Sequence, residues 1–464
     1  MISASRWGGK RLARLVVGLA FVVKLVVTVW NTFAYDNKPY DVKHHIQRAT
    51  AAGLNLKQNS YDPPLYYLPS LAYLEDHKTG SIKEGYDKDA LLQLLRETNL
   101  VYVTAFYLCW IYLIIPKLVP SWRSATVASL VLLALPGFQK LEVMTHPDNL
   151  LLALSSIALA FWAWLRARRP RPGLVDWLIW VAYGVVVGLV GWTRPFAAIP
   201  VVVLWLAGVT VLARKWGAFR WSFVSRFLVM SALASTISAA WYVYRWKETG
   251  VVGGTYNKKW VGPYAPFRAE LDKRHFLTSF YLRQLLKTPN IALVGRGGKK
   301  YEPHSKSDVT NSFPTIAFSE FWGDHWLYFS STRWRTDEKV TVKRVLFVVA
   351  LPMLPLLALR WLRAGAGAVM GLVTRRRDDV CAILLLYTVL ATAMYFYWLL
   401  GDALMPGIHS PIKFIYNAHI VPVAVTLAWL DAIRGWRFAA WLGYALLVFV
   451  VALPMAIFIP TGFW

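Results

Sequence analysis

Residues 13–33 read ARLVVGLAFVVKLVVTVWNTF, and residues 34–68 continue with AYDNKPYDVKHHIQRATAAGLNLKQNSYDPPLYYL. The first run is apolar and long enough to cross a bilayer as a single helix, which needs about 20 residues. The second run is polar and chargeable, in a chain otherwise rich in Leu, Val, Ala and Trp. The two together predict a membrane helix that leads directly into a polar loop at the membrane surface.

The composition extends this prediction to the whole chain. Of its 464 residues, 57% are hydrophobic and only 16% are charged, and the apolar residues come in long blocks. This pattern is typical of a polytopic membrane protein and excludes an ordinary soluble one. The two cysteines, Cys109 and Cys381, lie in apolar blocks and are too few for a disulfide framework or a cysteine metal cluster.

The fold class predicted from these blocks is an all-α polytopic bundle of about 11 transmembrane helices, with amphipathic helices and a capping loop on the extracytoplasmic side. The blocks occupy residues 13–33, 91–115, 124–138, 149–165, 175–192, 196–213, 223–244, 341–359, 380–400, 415–430 and 437–459. The predicted domains are an N-terminal transmembrane module at 1–245 whose first outer loop is 34–90, a cap at 246–338, and C-terminal helices at 339–464.

The orientation is predicted from the short basic loops. Arg and Lys clusters precede the first block and follow the second, fourth, sixth, eighth and tenth, so that all of them fall on one side. By the positive-inside rule that side is cytoplasmic, and the first block is a retained signal-anchor. Any active site is expected on the outer face.

Two residues in the first outer loop form the leading candidate site. Asp41 and His45 are four residues apart and share a face if residues 41–53 form a helix. Asp41 either caps that helix or takes a proton from a hydroxyl group, with His45 orienting it. Asp36 is either a second site residue or a solvated loop acid, and Asp62, which precedes two prolines, is a turn residue.

Further chargeable residues are predicted on the same outer face. His146 and Asp148 open the fourth predicted helix, where Asp148 is either a cap or a second acid that faces Asp41. Arg194 lies between two apolar blocks and either reaches lipid headgroups or binds a phosphate. Lys413 and His419 flank the tenth block, where a cation is costly unless an anion meets it.

Two other features concern charge. Lys24 lies inside the first block and either reaches the headgroups or pairs within the bundle. The outer segment 246–338 is basic, against the orientation rule, which favours contact with anionic membrane lipids or an anionic acceptor. A nucleic-acid partner is excluded by that location.

The motifs YDVKHHI at 40–46 and YDPPLYYL at 61–68 resemble those of the GT-C superfamily of integral-membrane glycosyltransferases. The bacterial branch related to protein mannosyltransferases and aminoarabinose transferases is the most similar. Its members carry an acid followed by His four residues on, a PPLYYL-like stretch, and a Pro-acid pair opening a later helix, matched here by Pro147-Asp148. FWG at 321–323 and KFIY at 413–416 are further similar features. Lys43 stands where many members have a second acid, which argues against a metal-dependent variant.

The resemblance implies an inverting sugar transfer from a polyprenyl-phosphate donor to a lipid, glycan or protein acceptor on the outer face. It also implies a bacterial inner or plasma membrane as the location. No cofactor or metal is expected. The implied catalytic residues are Asp41, as the base, and His45, Asp36 and Asp148. The residues implied to bind the donor phosphate are Lys413, Arg194, Tyr416 and His419. The residues implied to line the groove for donor and acceptor are Tyr66, Tyr67, His146 and Trp322. The alternative is a non-enzymatic transporter or flippase of lipid-linked glycans, which would place its ionisable residues at mid-membrane on broken helices.

Overall fold

A computed structural model describes residues 2–34, 64–70, 88–118, 122–134, 146–167, 173–194, 197–214 and 221–249. Within these ranges the chain is helical apart from short turns, as the sequence predicted. Four helices are long and apolar enough to cross a membrane, and they contain Gly9–Trp30, Asp89–Lys117, Pro147–Ala167 and Val224–Lys247. The chain is therefore a multi-pass membrane protein.

Seven helices correspond to the first seven predicted apolar blocks. They are α1 (Ile2–Ala34), α2 (Lys88–Leu108, continuing through Cys109–Ile114 and Ile115–Leu118), α3 (Trp122–Ala134), α4 (Pro147–Ala167), α5 (Leu174–Val190), α6 (Ala198–Arg214) and α7 (Trp221–Thr249). A short 3₁₀ helix, Pro64–Tyr67, lies in the first predicted outer loop. The last four predicted helices, and the predicted cap beyond Thr249, lie outside the described residues, so the count of eleven stays a prediction.

Helix α1 has one lipid-facing side and one side that faces the bundle. Leu15, Leu19 and Val22 are exposed, whereas Lys24 and Thr28 are buried. The Lys24 ammonium nitrogen lies 6.0 Å from the centroid of the Tyr107 ring on α2. Of the two alternatives for Lys24, the structure therefore shows the one in which it contacts the bundle interior.

Helices α5 and α7 run parallel and pack closely through glycines on α5. Gly184 faces Met230 and Gly188 faces Ala234 and Ile237, so residue numbers rise together along the two helices. A methyl group at Gly184 would come within 2.6 Å of the Met230 carbonyl oxygen. Small residues spaced in this way let membrane helices approach until their backbones are nearly in contact.

Near the start of both helices, a buried ion pair joins them. Nη1 of Arg226 on α7 lies 3.5 Å from Oδ2 of Asp176 in the first turn of α5. The Arg226 guanidinium also lies 5.7 Å from the centroid of the Trp177 ring.

Helices α2 and α4 are also parallel, and two polar bridges join them. Asn99 on α2 meets Asn149 on α4, and Trp110 Nε1 donates to Ser156 Oγ at 3.1 Å. Trp110 belongs to a π-helical segment, Cys109–Ile114, just before Pro116. Because proline has no N–H to continue an α-helical ladder, such a widened turn is a common accommodation.

Candidate active site

The first turn of α4 gathers polar groups at one end of the bundle. Its sequence is His146-Pro147-Asp148-Asn149, and the side chains of His146, Asp148 and Asn149 are all buried. Pro147 suits the first helical position because the N–H that it lacks would have no partner there. The backbone N–H of Asn149 donates to the His146 carbonyl at 3.1 Å, which closes the first turn.

The Asp148 carboxylate pairs with a cation that comes from another element. Oδ1 of Asp148 lies 2.8 Å from Nε of Arg194, and the two side chains are only 1% and 12% exposed. Arg194 follows the end of α5, where the Thr193 hydroxyl donates to the Val190 carbonyl at 2.7 Å and closes the turn. A carboxylate buried this deeply needs such a partner, because an unpaired charge would be costly there.

His146 makes two contacts that require different proton positions. Its Nδ1 lies 3.3 Å from the backbone nitrogen of Asp148 and 3.1 Å from Oδ2 of the same residue. An unprotonated Nδ1 accepts the backbone N–H and caps the helix, whereas a protonated Nδ1 donates to the carboxylate. The side chain that caps α4 is thus His146, whereas the sequence interpretation considered Asp148 as the helix cap.

Tyr66 and Tyr67 come from the predicted first outer loop and pack against this end of the bundle. Both are fully buried in a cluster with Leu91, Leu95 and Leu150. Burial raises the pKa of Tyr66 well above its usual value of 10, and Tyr67, Tyr102 and the Asp148 carboxylate act in the same direction. The Tyr66 phenol therefore stays protonated and lies close enough to Asp148 to respond to its charge.

A second polar contact lies beside Asp148. Nδ2 of Asn149 donates to Oδ1 of Asn99 at 2.6 Å, and both residues are about 1% exposed. The sequence interpretation did not single out either asparagine. Neither amide stands out in the sequence, because each lies close to charged residues.

Another residue that the sequence interpretation missed is Arg245, which is buried near the end of α7. It lies one turn beyond Trp241, whose ring centroid is 6.3 Å from that of Trp192, two residues before Arg194. Trp192 Nε1 donates to the Ile237 carbonyl of α7, which ties the end of α5 to the same helix.

The structure thus brings three predicted site residues, His146, Asp148 and Arg194, into contact and places Tyr66 and Tyr67 nearby. The remaining predicted site residues lie outside the described residues: Asp36, Asp41, His45, Trp322, Lys413, Tyr416 and His419. Among the described residues, no group of three or more His, Cys, Asp or Glu side chains is placed to hold a metal ion. The expectation of a metal-free site depends on the acids of the first loop and stays a prediction.

No protein-family model matches the sequence, and no curated protein matches it. Among solved structures, the chain is similar to the oligosaccharyltransferase of Archaeoglobus fulgidus in complex with zinc and sulfate, at 13% identity and a TM-score of 0.47. A second structure of that enzyme, tethered to an acceptor peptide with an NVT sequon, matches at 12% identity and a TM-score of 0.45. ArnT from Cupriavidus metallidurans, bound to undecaprenyl phosphate, matches at 14% identity and a TM-score of 0.45. Each match covers 95% of this chain, which spans 53% of the first oligosaccharyltransferase structure and 75% of ArnT.

Proposed function

We propose that the chain is a GT-C-type inverting glycosyltransferase that moves a sugar from a polyprenyl-phosphate donor to an acceptor on the extracytoplasmic face. The observation that carries the proposal is the buried cluster of His146, Asp148 and Arg194 at one end of a membrane helix bundle. Ionisable groups buried inside membrane proteins are costly and therefore typical of functional sites. The tyrosines of the YDPPLYYL motif pack beside this cluster, which supports a site shared by the first and second outer loops.

On the acceptor side, Asp41 of the catalytic loop 34–90 is the general base. It takes the proton of the acceptor hydroxyl as that oxygen bonds to the anomeric carbon from the face opposite the leaving phosphate. His45 orients Asp41, Asp36 supports it, and Asp148 is the second acid, facing Asp41. A carboxylate held by Arg194 is suited to accept a hydrogen bond from a sugar hydroxyl.

On the donor side, the phosphate leaves with the electron pair of the broken carbon–oxygen bond. Cations that meet this developing charge stabilise the transition state more than the ground state. Lys413 and Arg194 serve this role, with Tyr416 and His419 beside them. Because Arg194 is paired with Asp148, its charge is shared between that carboxylate and the donor phosphate.

The donor belongs to the same class of lipid as the undecaprenyl phosphate bound to ArnT. Tyr66, Tyr67, His146 and Trp322 line the groove for donor and acceptor. The acceptor is a lipid, a glycan or a protein, and the basic segment 246–338 favours an anionic one.

The decisive variant is Asp41→Asn, assayed in proteoliposomes with polyprenyl-phosphate sugars as donors. The amide keeps the size and capping ability of the carboxylate but cannot accept the proton, and general-base catalysis contributes ~10²–10⁴ in rate. We expect normal expression, retained donor binding and a transfer rate lowered by at least ~100-fold. Asp36→Asn, the matched control, should lose less.

Near wild-type transfer by Asp41→Asn, with Asp36→Asn or Asp148→Asn inactive, would show that the base is another acid. Full transfer activity in all three variants would show that none of these acids is the base and would overturn the proposed site. A wild-type protein that carries lipid-linked glycans across vesicles without breaking the sugar–phosphate bond would be a transporter.

A further inference from the structure

Besides its charged partners, the first turn of α4 has a neutral partner on α2. The contact joins Asn149 Nδ2 to Asn99 Oδ1 at 2.6 Å, with both amides buried. Both residues lie within helices that are long and apolar enough to cross a membrane. In such surroundings, hydrogen bonds between side chains of different helices fix how the helices are rotated against each other.

The direction of this contact matters for Asp148. Successive residues in an α-helix are about 100° apart around the axis, so Asn149 faces α2 while Asp148 faces Arg194 at the end of α5. The first turn is therefore held from two directions. The ion pair acts on the carboxylate itself, whereas the amide pair acts on the neighbouring residue and fixes the rotation of the turn.

The rotation that the amide pair prevents would be large enough to affect chemistry. A carboxylate ~6 Å from the helix axis moves ~2 Å when the turn rotates by ~20°. A misplacement of ~1 Å at a reacting centre costs up to ~100-fold in rate. Arg194 alone does not prevent such a rotation, because a long arginine side chain can follow the carboxylate.

We infer that Asn99 is a positioning residue that acts on Asp148 through Asn149. The inference rests on the proposed function, in which Asp148 is the second acid of the site. This role differs from simply holding α2 and α4 together, because the hydrogen bond between Trp110 and Ser156 already joins the same two helices seven residues further along α4.

The test compares Asn99→Leu with Ser156→Ala. Each variant removes one hydrogen bond between α2 and α4, but only the first removes the bond next to Asp148. With saturating donor, Asn99→Leu should lower kcat per folded molecule by ~10–100-fold and change the donor KM much less. Ser156→Ala should keep the wild-type kcat, and Asn99→Gln, which retains an amide, should recover part of the loss.

Two further measurements make the inference specific. In an Asp148→Asn background, Asn99→Leu should cause no additional loss of kcat, because it acts through that carboxylate. Amide hydrogen exchange of residues 148–151 should speed up in Asn99→Leu and stay unchanged in Ser156→Ala. Equal kcat values in Asn99→Leu and Ser156→Ala, or an equal further loss in the Asp148→Asn background, would overturn the inference.

The two proposals fail in different ways. A wild-type protein without transfer activity on any polyprenyl-phosphate sugar would overturn the proposed function. The exchange measurement needs no activity, and unchanged exchange at residues 148–151 in Asn99→Leu would overturn the positioning role by itself.

Discussion

At the scale of single residues, Asp148 is surrounded by three groups of different chemistry. Arg194 supplies a permanent positive charge, His146 an imidazole nitrogen within reach of the carboxylate, and Tyr66 a phenol that stays protonated. The guanidinium compensates the charge of the buried carboxylate, and the position of the histidine proton decides whether Nδ1 caps the helix or bonds the carboxylate. Substitution of any of these three residues should therefore change the surroundings of the Asp148 carboxylate as well as the contacts of the substituted residue.

Removing Arg194 should destabilise the fold as well as the site. Arg194→Met leaves the Asp148 carboxylate buried without its cation, and breaking a buried pair in this way costs ~3–5 kcal/mol in the free energy of unfolding. Unfolding in mixed detergent, followed by tryptophan fluorescence, measures this loss.

The control is the double variant Arg194→Met with Asp148→Leu, which removes both charges. It should regain most of the stability, since apolar replacements of a buried pair are often neutral, yet it should not transfer sugar. Wild-type stability in the single variant would contradict the ion pair.

The sequence singled out His146, Asp148 and Arg194 because charge in apolar surroundings stands out. It did not predict that Arg194 meets Asp148, since that contact depends on how the end of α5 lies against the start of α4. Asn99 could not be recognised at all: an uncharged amide with no spacing pattern is easily taken for a packing residue.

At the scale of helices, hydropathy located the first seven elements because lipid imposes an apolar surface over a fixed length. It could not locate their contacts. The approach of α5 to α7 depends on Gly184 and Gly188 facing backbone and side-chain atoms of α7, and a pattern of apolar residues does not say which face meets which helix.

Gly184→Ala should therefore be costly. The added methyl would lie 2.6 Å from the Met230 carbonyl oxygen and 2.9 Å from its Cα, and backbone atoms in a packed helix cannot rotate away. We expect a loss of ~1–3 kcal/mol in the free energy of unfolding.

Gly208→Ala on α6 is the matched control, since its methyl would meet the same residue at the flexible Met230 Cε, 2.7 Å away. A methionine terminus adapts readily, so this variant should unfold nearly as the wild type does. Equal losses in the free energy of unfolding in the two variants would show that the backbone of α7 is not what excludes a larger residue at position 184.

At the scale of the whole molecule, the basic loops predict an orientation. The N-terminus is cytoplasmic and 246–338 is extracytoplasmic if Lys and Arg clusters stay inside. In intact cells, a membrane-impermeant thiol reagent should label a cysteine placed near Lys299 and miss one near Arg376. The opposite labelling pattern would put every assigned site residue on the wrong face.

Helix α5 has an ion pair near each end, and the two pairs can form at different times during biosynthesis. When Arg194 leaves the ribosome, Asp148 has already been made, so that pair can form at once. Asp176 must wait for Arg226, 50 residues later, which at 5–20 residues per second takes ~3–10 s. The contact between the starts of α5 and α7 is therefore completed after the one between α4 and the end of α5.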